Sequence, residues 1–72
     1  MEPEKQLGDA IRRIRQQRAI STEGLAHMTG MDEARIQNIE AGEETALRLK
    51  TIWTVALALD TDANAIIREA GL

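Results

Sequence analysis

Apolar positions along this chain recur every three to four residues, the period of an α-helix, and do not alternate as they would in strands. Leu7, Ala10, Ile11 and Ile14 stand at i, i+3, i+4 and i+7, which marks one face of a first helix. That helix is expected to begin near Pro3, with Glu2 and Glu4 beside the positive end of its dipole. Its opposite face carries Asp9, Arg12, Arg13 and Gln16. Ser21 is a suitable N-cap for a short second helix from Thr22 to Thr29, with Leu25, Ala26 and Met28 as its inward residues. Gly30 follows directly, where a positive φ would end the helix and turn the chain. Asp32 then caps a third helix that buries Ile36 and Ile39, runs to Glu40 or Ala41 and stops at Gly42. After the polar stretch Glu43, Glu44 and Thr45 comes the longest apolar segment. Leu49, Ile52, Trp53, Ala56, Leu57 and Leu59 predict a fourth helix from Ala46 to Leu59. Asp60, Thr61 and Asp62 break it, Asp62 caps a fifth helix from Ala63 to Ala70, and Gly71 ends that one. The pattern predicts an all-α fold, a compact bundle of five short helices in which helices 2 and 3 form a helix-turn-helix.

Length and composition narrow this further. The chain of 72 residues has room for one core, so residues 1–72 are expected to form a single domain. Hydrophobic residues make up 43%, yet Trp53 is the single aromatic, so the core is built from Leu, Ile, Ala, Met and Val. Cysteine is absent and His27 is the lone histidine, which excludes disulfides and a zinc site of His and Cys ligands. Neither a metal nor a cofactor is expected. Met28 and Met31 are expected as core fillers and Met1 suggests no site. Because so small a core is marginal, a second copy of the chain is the expected stabiliser. No apolar run approaches the ~20 residues that span a bilayer, and Met1 to Lys5 lacks a signal-peptide pattern, so the expected location is the cytoplasm. With no thiol, no second histidine and no glycine-rich phosphate loop, an enzyme is not expected.

A net charge of -3 and a pI near 5.0 weigh against a nucleic-acid partner, whose phosphates are neutralised by Lys and Arg. The distribution changes that picture. Residues 5–18 hold Lys5, Arg12, Arg13, Arg15 and Arg18 against Asp9 alone. Residues 32–44 hold Asp32, Glu33, Glu40, Glu43 and Glu44 against Arg35 alone.

The order and spacing of Leu7-Gly8, Ile11, Arg15, Ile20-Ser21, Leu25-Ala26, Gly30-Met31, Ile36, Ile39-Glu40, Gly42 and Val55-Ala56 before Leu59 carry a resemblance. Over residues 7–67 the chain resembles the lambda-repressor and Cro (XRE-type) helix-turn-helix domains. The resemblance implies an ion pair between Arg15 and Glu40, tying the first helix to the recognition helix. It places DNA contacts at Thr22, at the start of the second helix, and at Asp32, Glu33, Ala34, Arg35, Gln37, Asn38 and Ala41 on the third. It implies phosphate contacts from Arg12, Arg13 or Arg18 on the first helix and from Arg48 in the 43–48 loop. Dimerisation through the last two helices would employ Trp53, Ile66, Ile67 and Leu72. Trp53 is otherwise expected in the core.

The chain departs from the family at the leading edge of the third helix. Where relatives often carry hydroxyl, amide or basic residues, this chain has Asp32 and Glu33, and Thr22 replaces a frequent glutamine. Gln37 and Asn38 retain amides suited to the N6 and N7 edge of adenine. Two functions follow as expectations. One is a small dimeric repressor that binds double-stranded operator DNA and reads its sequence. The alternative is a helix-turn-helix relic, an antiactivator or regulator subunit, whose acidic helix contacts a basic transcription-activator protein without binding DNA.

Overall fold

In a computed structural model, which describes residues 3–44 and 47–72, the first helix, α1 (Pro3–Gln17), begins at the proline. Four more helices follow: α2 (Thr22–Thr29), α3 (Glu33–Glu40), α4 (Leu49–Ala58) and α5 (Ala63–Glu69). No strand occurs among the described residues. The expected contributions of Glu2 to the first helix, Thr45 to the loop and Ala46 to the fourth helix fall outside the described residues. No described helix is long and apolar enough to cross a membrane.

Local chemistry sets most of the ends. The Ser21 hydroxyl accepts from the Gly24 N–H at 2.9 Å, and the Asp62 carboxylate accepts from the Ala65 N–H at 2.8 Å. Gly30 closes α2 at φ 75°, in the left-handed region that glycine enters without penalty. Asp32 stands at the N-cap of α3, but its carboxylate makes no capping bond. Helix α4 begins later than its apolar pattern predicts, because Arg48 is extended and Leu47 tucks against the core ahead of the helix.

Helix α1 packs on α3 and α5, α2 on α3 and α4, and α4 on α5. The core lies where these faces meet, with Ile11, Leu25, Ile36, Ile39, Val55, Leu59 and Ile66 almost fully enclosed. Met28 is a correction to the expected core, being 52% exposed. The inward arc of α2 is centred between Leu25 and Ala26. Thr29 takes the next place on it, donating its hydroxyl to the Leu25 carbonyl at 2.8 Å. Helix α4 carries two apolar stripes. Ile52, Val55, Ala56 and Leu59 face inward, whereas Leu49, Trp53 and Leu57 are 66%, 59% and 65% exposed. The structure therefore places Trp53 on the surface.

Two backbone features fix how the helices meet. At Gly8 the C-terminal turn of α3 comes so close that a Cβ would strike the carbonyl oxygens of Ile39 and Glu40. Ala19, after α1, and Asp60, after α4, both take φ 57°, a left-handed conformation that costs a residue such as alanine about 1–2 kcal/mol and is more readily adopted by aspartate. Between them Arg18 reaches across the fold. Its Nε donates to the Leu59 carbonyl at 2.8 Å, satisfying a group that the end of α4 leaves without a helical partner.

Opposite outcomes are expected from substitutions at these two kinds of position, both measured by urea denaturation. Gly8→Ala forces α1 away from α3 and is expected to lower stability by about 1–3 kcal/mol, the range for overpacking. Ala19→Gly relieves the left-handed strain and is expected to raise stability by roughly 0.5–1 kcal/mol, the part of that strain left after glycine's extra unfolded-state entropy.

Candidate nucleic-acid interface

The second helix of the helix-turn-helix is held by one ion pair at its far end. Arg15 donates Nε to Glu40 Oε2 at 2.7 Å and Nη2 to Glu40 Oε1 at 2.9 Å, while its Nη1 donates to the Ile20 carbonyl at 2.9 Å. The two side chains are only 12% and 7% exposed. Such a planar, bidentate arrangement fixes direction as well as distance. The Arg15 guanidinium is held above its ordinary pKa, chiefly by the side-chain hydrogen bond to Glu40, with burial opposing and the carboxylate charge adding to the rise. One guanidinium thus joins α1, the entry to α2 and the exit of α3.

With Ile36, Ile39 and Glu40 buried, the helical repeat of about 100° per residue turns Ala34, Gln37, Asn38 and Ala41 outward. All four are exposed, and no side-chain hydrogen bond engages Gln37 or Asn38 among the described residues. This is a ridge of two amides flanked by two methyl groups. At eight residues α3 is about 12 Å long, a length that a major groove accommodates.

The acidic residues at the leading edge have local partners. Glu33 is the first residue of α3, where a negative charge is favoured by the helix dipole. Its Oε2 accepts from the Thr22 hydroxyl at 2.7 Å, which joins the first turns of α2 and α3. Arg35 lies on the flank of α3 nearer α4. It donates Nε and Nη2 to the two carboxylate oxygens of Glu44 at 3.0 and 3.2 Å, and its Nη2 is 3.4 Å from the Thr51 hydroxyl. The bond to Glu44 is the first cause of a raised Arg35 pKa. Opposite charges on either side of the Gly42 turn were the available signal for this pair.

The basic face of α1 is largely committed to the fold. Arg12 pairs with Asp9 at 3.1 Å. Arg13 pairs with Glu69 Oε2 at 3.1 Å and donates Nη2 to the Glu69 carbonyl at 2.8 Å, joining α1 to the end of α5. Arg18 holds the end of α4. Nothing local in the sequence signals the last two, whose partners lie 56 and 41 residues away. Arg48 and Lys50 are exposed and make no ion pair among the described residues.

Of the four residues expected at a subunit contact, Trp53 and Leu72 are 59% and 53% exposed, and Ile67 is half-buried. Ile66 is a correction. It is fully enclosed between α5 and the rest of the core and offers no surface to a partner. Leu49 and Leu57 extend the Trp53 stripe instead.

A family model described as helix-turn-helix matches residues 11–66. The restriction-modification controller protein C.AhdI from Aeromonas hydrophila is similar in structure, with a TM-score of 0.81 and 27% identity, over 86% of this chain and 92% of that one. The clp gene regulator ClgR from C. glutamicum aligns with a TM-score of 0.94 over 99% of this chain and 90% of that one. At 20% identity it shows the shared fold. An HTH_3 family transcriptional regulator from Vibrio cholerae has a TM-score of 0.82 and 26% identity, over 90% of this chain but 36% of its own length. Comparison with curated proteins finds no match.

The Arg15–Glu40 pair makes an asymmetric prediction. Glu40→Leu strands a mostly buried guanidinium and is expected to cost about 3–5 kcal/mol. Combining it with Arg15→Met replaces both charges with apolar bulk and is expected to recover most of the loss. Chemical denaturation of the two single variants and the double variant measures the coupling.

Proposed function

The chain belongs to the lambda-repressor-like helix-turn-helix family, and from that premise we propose that it is a small transcriptional regulator that binds duplex DNA as a homodimer. The observation that carries this reading is the outward ridge of α3, where Gln37 and Asn38 stand exposed between Ala34 and Ala41. Amides pair with the N6 and N7 of adenine, and alanine methyls pack against the thymine methyl, so the ridge suits an A·T-rich half-site. Glu33, held by Thr22, adds an acceptor at the leading edge, suited to an amino group on cytosine or adenine. Arg35, Arg48 and Lys50 line one groove beside α3 and are the cations proposed for the phosphate backbone, whereas Arg13 and Arg18 are occupied in holding the fold. The name of the Vibrio cholerae transcriptional regulator supports a role in transcription, and that of the controller protein C.AhdI a role in regulation. Repression is the simplest mechanism for so small a protein, because it has only to occupy an operator that polymerase needs. The ridge offers groups for recognition and none for catalysis, so the protein is read as a regulator without enzymatic activity.

The homodimer is proposed from the dimensions of a two-half-site operator. The longest Cα extent is 29 Å, less than the ~34 Å that separates the centres of two half-sites one helical turn apart. Reading two half-sites therefore takes two copies. The stripe of Leu49, Trp53 and Leu57, with Leu72 at the end of the chain, is the apolar surface proposed to join them.

Selection from random duplexes tests the reading. Retained sequences are expected to be A·T-rich palindromes, with a salt dependence that grows with the number of phosphates neutralised. Asn38→Ala is expected to weaken binding by about tenfold or more per half-site, the worth of one bidentate base contact, and to relax selectivity at one position. A folded protein that retains no duplex at low salt overturns the proposal. The exposed Asp32, Glu33 and Glu43 then favour the alternative, an acidic surface for a basic activator protein.

Sedimentation equilibrium tests the assembly. The parent chain is expected to be a dimer, and Trp53→Arg with Leu57→Arg a folded monomer whose affinity for a palindrome falls at least ~100-fold, because the second half-site contact is no longer intramolecular.

A further inference from the structure

A groove of about 310 Å3 lies between α4 and the start of α5, lined by Leu49, Trp53, Asp62, Ala63 and Asn64. Leu49 and Trp53 belong also to the apolar stripe proposed to join two copies, so the groove opens on that surface. None of its lining residues is cationic, and Asp62 makes its field negative. Its polar groups are only partly answered. The Asp62 carboxylate accepts from the Ala65 N–H through Oδ1, while among the described residues its Oδ2, the Asn64 amide and the Trp53 indole N–H make no side-chain hydrogen bond. A group of the opposite character stands at the other end of the same helix. Arg68 is exposed in the last turn of α5 and forms no ion pair among the described residues. It follows Asn64 by four residues and so shares its face of α5. Within one copy Asp62 and Arg68 are six residues apart, about 9 Å along the helix.

Resting on the homodimer reading, we propose that this groove receives the Arg68 side chain of a second copy, and that each copy fills the groove of the other. A twofold axis halfway along α5 runs the two helices antiparallel and sets the start of one opposite the end of the other, so a single placement makes both contacts. A guanidinium suits the lining. It stacks on an indole face, turns its fork to a carboxylate, offers a further N–H to the Asn64 amide oxygen and lays its methylene stem along Leu49. The apolar stripe alone fits itself in many registers, because leucines and an indole slide and turn on one another. The two ionic contacts exist in one register, and any other leaves Asp62 or Arg68 against apolar side chains without a partner. The contact thereby selects a second copy of this chain over other apolar surfaces. It also fixes the angle and separation of the two α3 ridges, and with them the half-site spacing that the pair reads.

The dimer dissociation constants of the full chain and of charge variants, measured by sedimentation equilibrium, test the contact. Arg68→Glu turns both contacts of a dimer into repulsions and is expected to raise the dissociation constant about tenfold or more, the scale of two ion pairs with their aromatic stacking. Arg68→Lys keeps the charge without the planar fork and is expected to lose only part of that. Asn64→Lys puts a cation inside the groove and is expected to weaken the dimer about as much as Arg68→Glu. An equimolar mixture of Asn64→Lys and Arg68→Glu is the decisive arm. In a mixed dimer one groove keeps its original arginine, and in the other the introduced lysine meets the introduced glutamate. Mixed dimers are therefore expected to be about tenfold tighter than the dimers of either variant alone, a rescue that a misfolded variant cannot give. Both positions are exposed. A parent dimer indifferent to Arg68→Glu, or a mixture no tighter than its components, overturns the proposal and leaves the apolar stripe as the whole interface. A parent chain that stays monomeric at millimolar concentration overturns the homodimer reading, and this contact with it.

Discussion

The arrangement of this molecule depends on the ion pair between Arg15 and Glu40. Helix α3 is eight residues long, and a helix that short has little stability of its own. Its inward contacts are Ile36 and Ile39, two side chains that can slide or roll on an apolar surface. A bidentate guanidinium cannot roll without breaking both bonds. Because the same Arg15 donates to the Ile20 carbonyl, the position of α3 is referred to α1 and to the start of α2 at once. Close approach is the complementary constraint, since the pair forms only if α1 and the end of α3 come as near as Gly8 permits.

Polar links of the same kind recur at the margins of the core. Arg13 joins α1 to the end of α5, Arg18 joins it to the end of α4, and Thr22 joins α2 to Glu33. Exposed ion pairs contribute little to stability one at a time. Bonds to the carbonyls at the ends of α4 and α5 differ, because those groups have no helical partner and the guanidinium supplies one. Basic residues that look available for DNA in the sequence are thereby divided between two tasks. Arg13 and Arg18 hold helix ends, and Arg48 and Lys50 around the start of α4 face the space beside α3.

Legibility in the sequence followed the range of the interaction. Helix starts at Ser21 and Asp62 were readable because a cap and its target lie within three residues, and the start at Pro3 because proline suits the first turn of a helix. The turn at Gly30 was readable for the same reason. Helix α4 was only half readable, since two apolar stripes are both compatible with a 3.6-residue period and only the packing of α2 and α5 selects the one through Ile52, Val55 and Leu59. Met28 and Ile66 were misjudged in opposite directions on the same ground. Each lies on a short helix where a shift of one position in the inward arc decides between core and surface. The outward positions of α3 were legible, because burial of Ile36 and Ile39 fixes the opposite face. The partners of Arg13 and Arg18 were not, since no local pattern encodes a contact across 41 or 56 residues.

The acidity of α3 reads differently once its partners are known. A carboxylate facing a phosphate costs binding energy, and Glu33 and Glu44 look like defects in a DNA-binding surface when judged by charge alone. Glu33 is at the positive end of its helix and accepts the Thr22 hydroxyl, so part of its charge is already answered within the protein. Glu44 is spent on Arg35. On the proposed reading both lower the non-specific attraction of the surface, while Gln37 and Asn38 stay exposed for the proposed base contacts. Discrimination is the difference between specific and non-specific binding free energy, so a term that every sequence shares lowers both affinities alike and cancels in their ratio, which is left to the contacts that differ between sequences. In the proposed homodimer a second half-site restores the total. On this argument the acidic residues weaken the grip of each copy without changing its discrimination, so that the proposed pair, and not one copy, is what reaches a useful affinity.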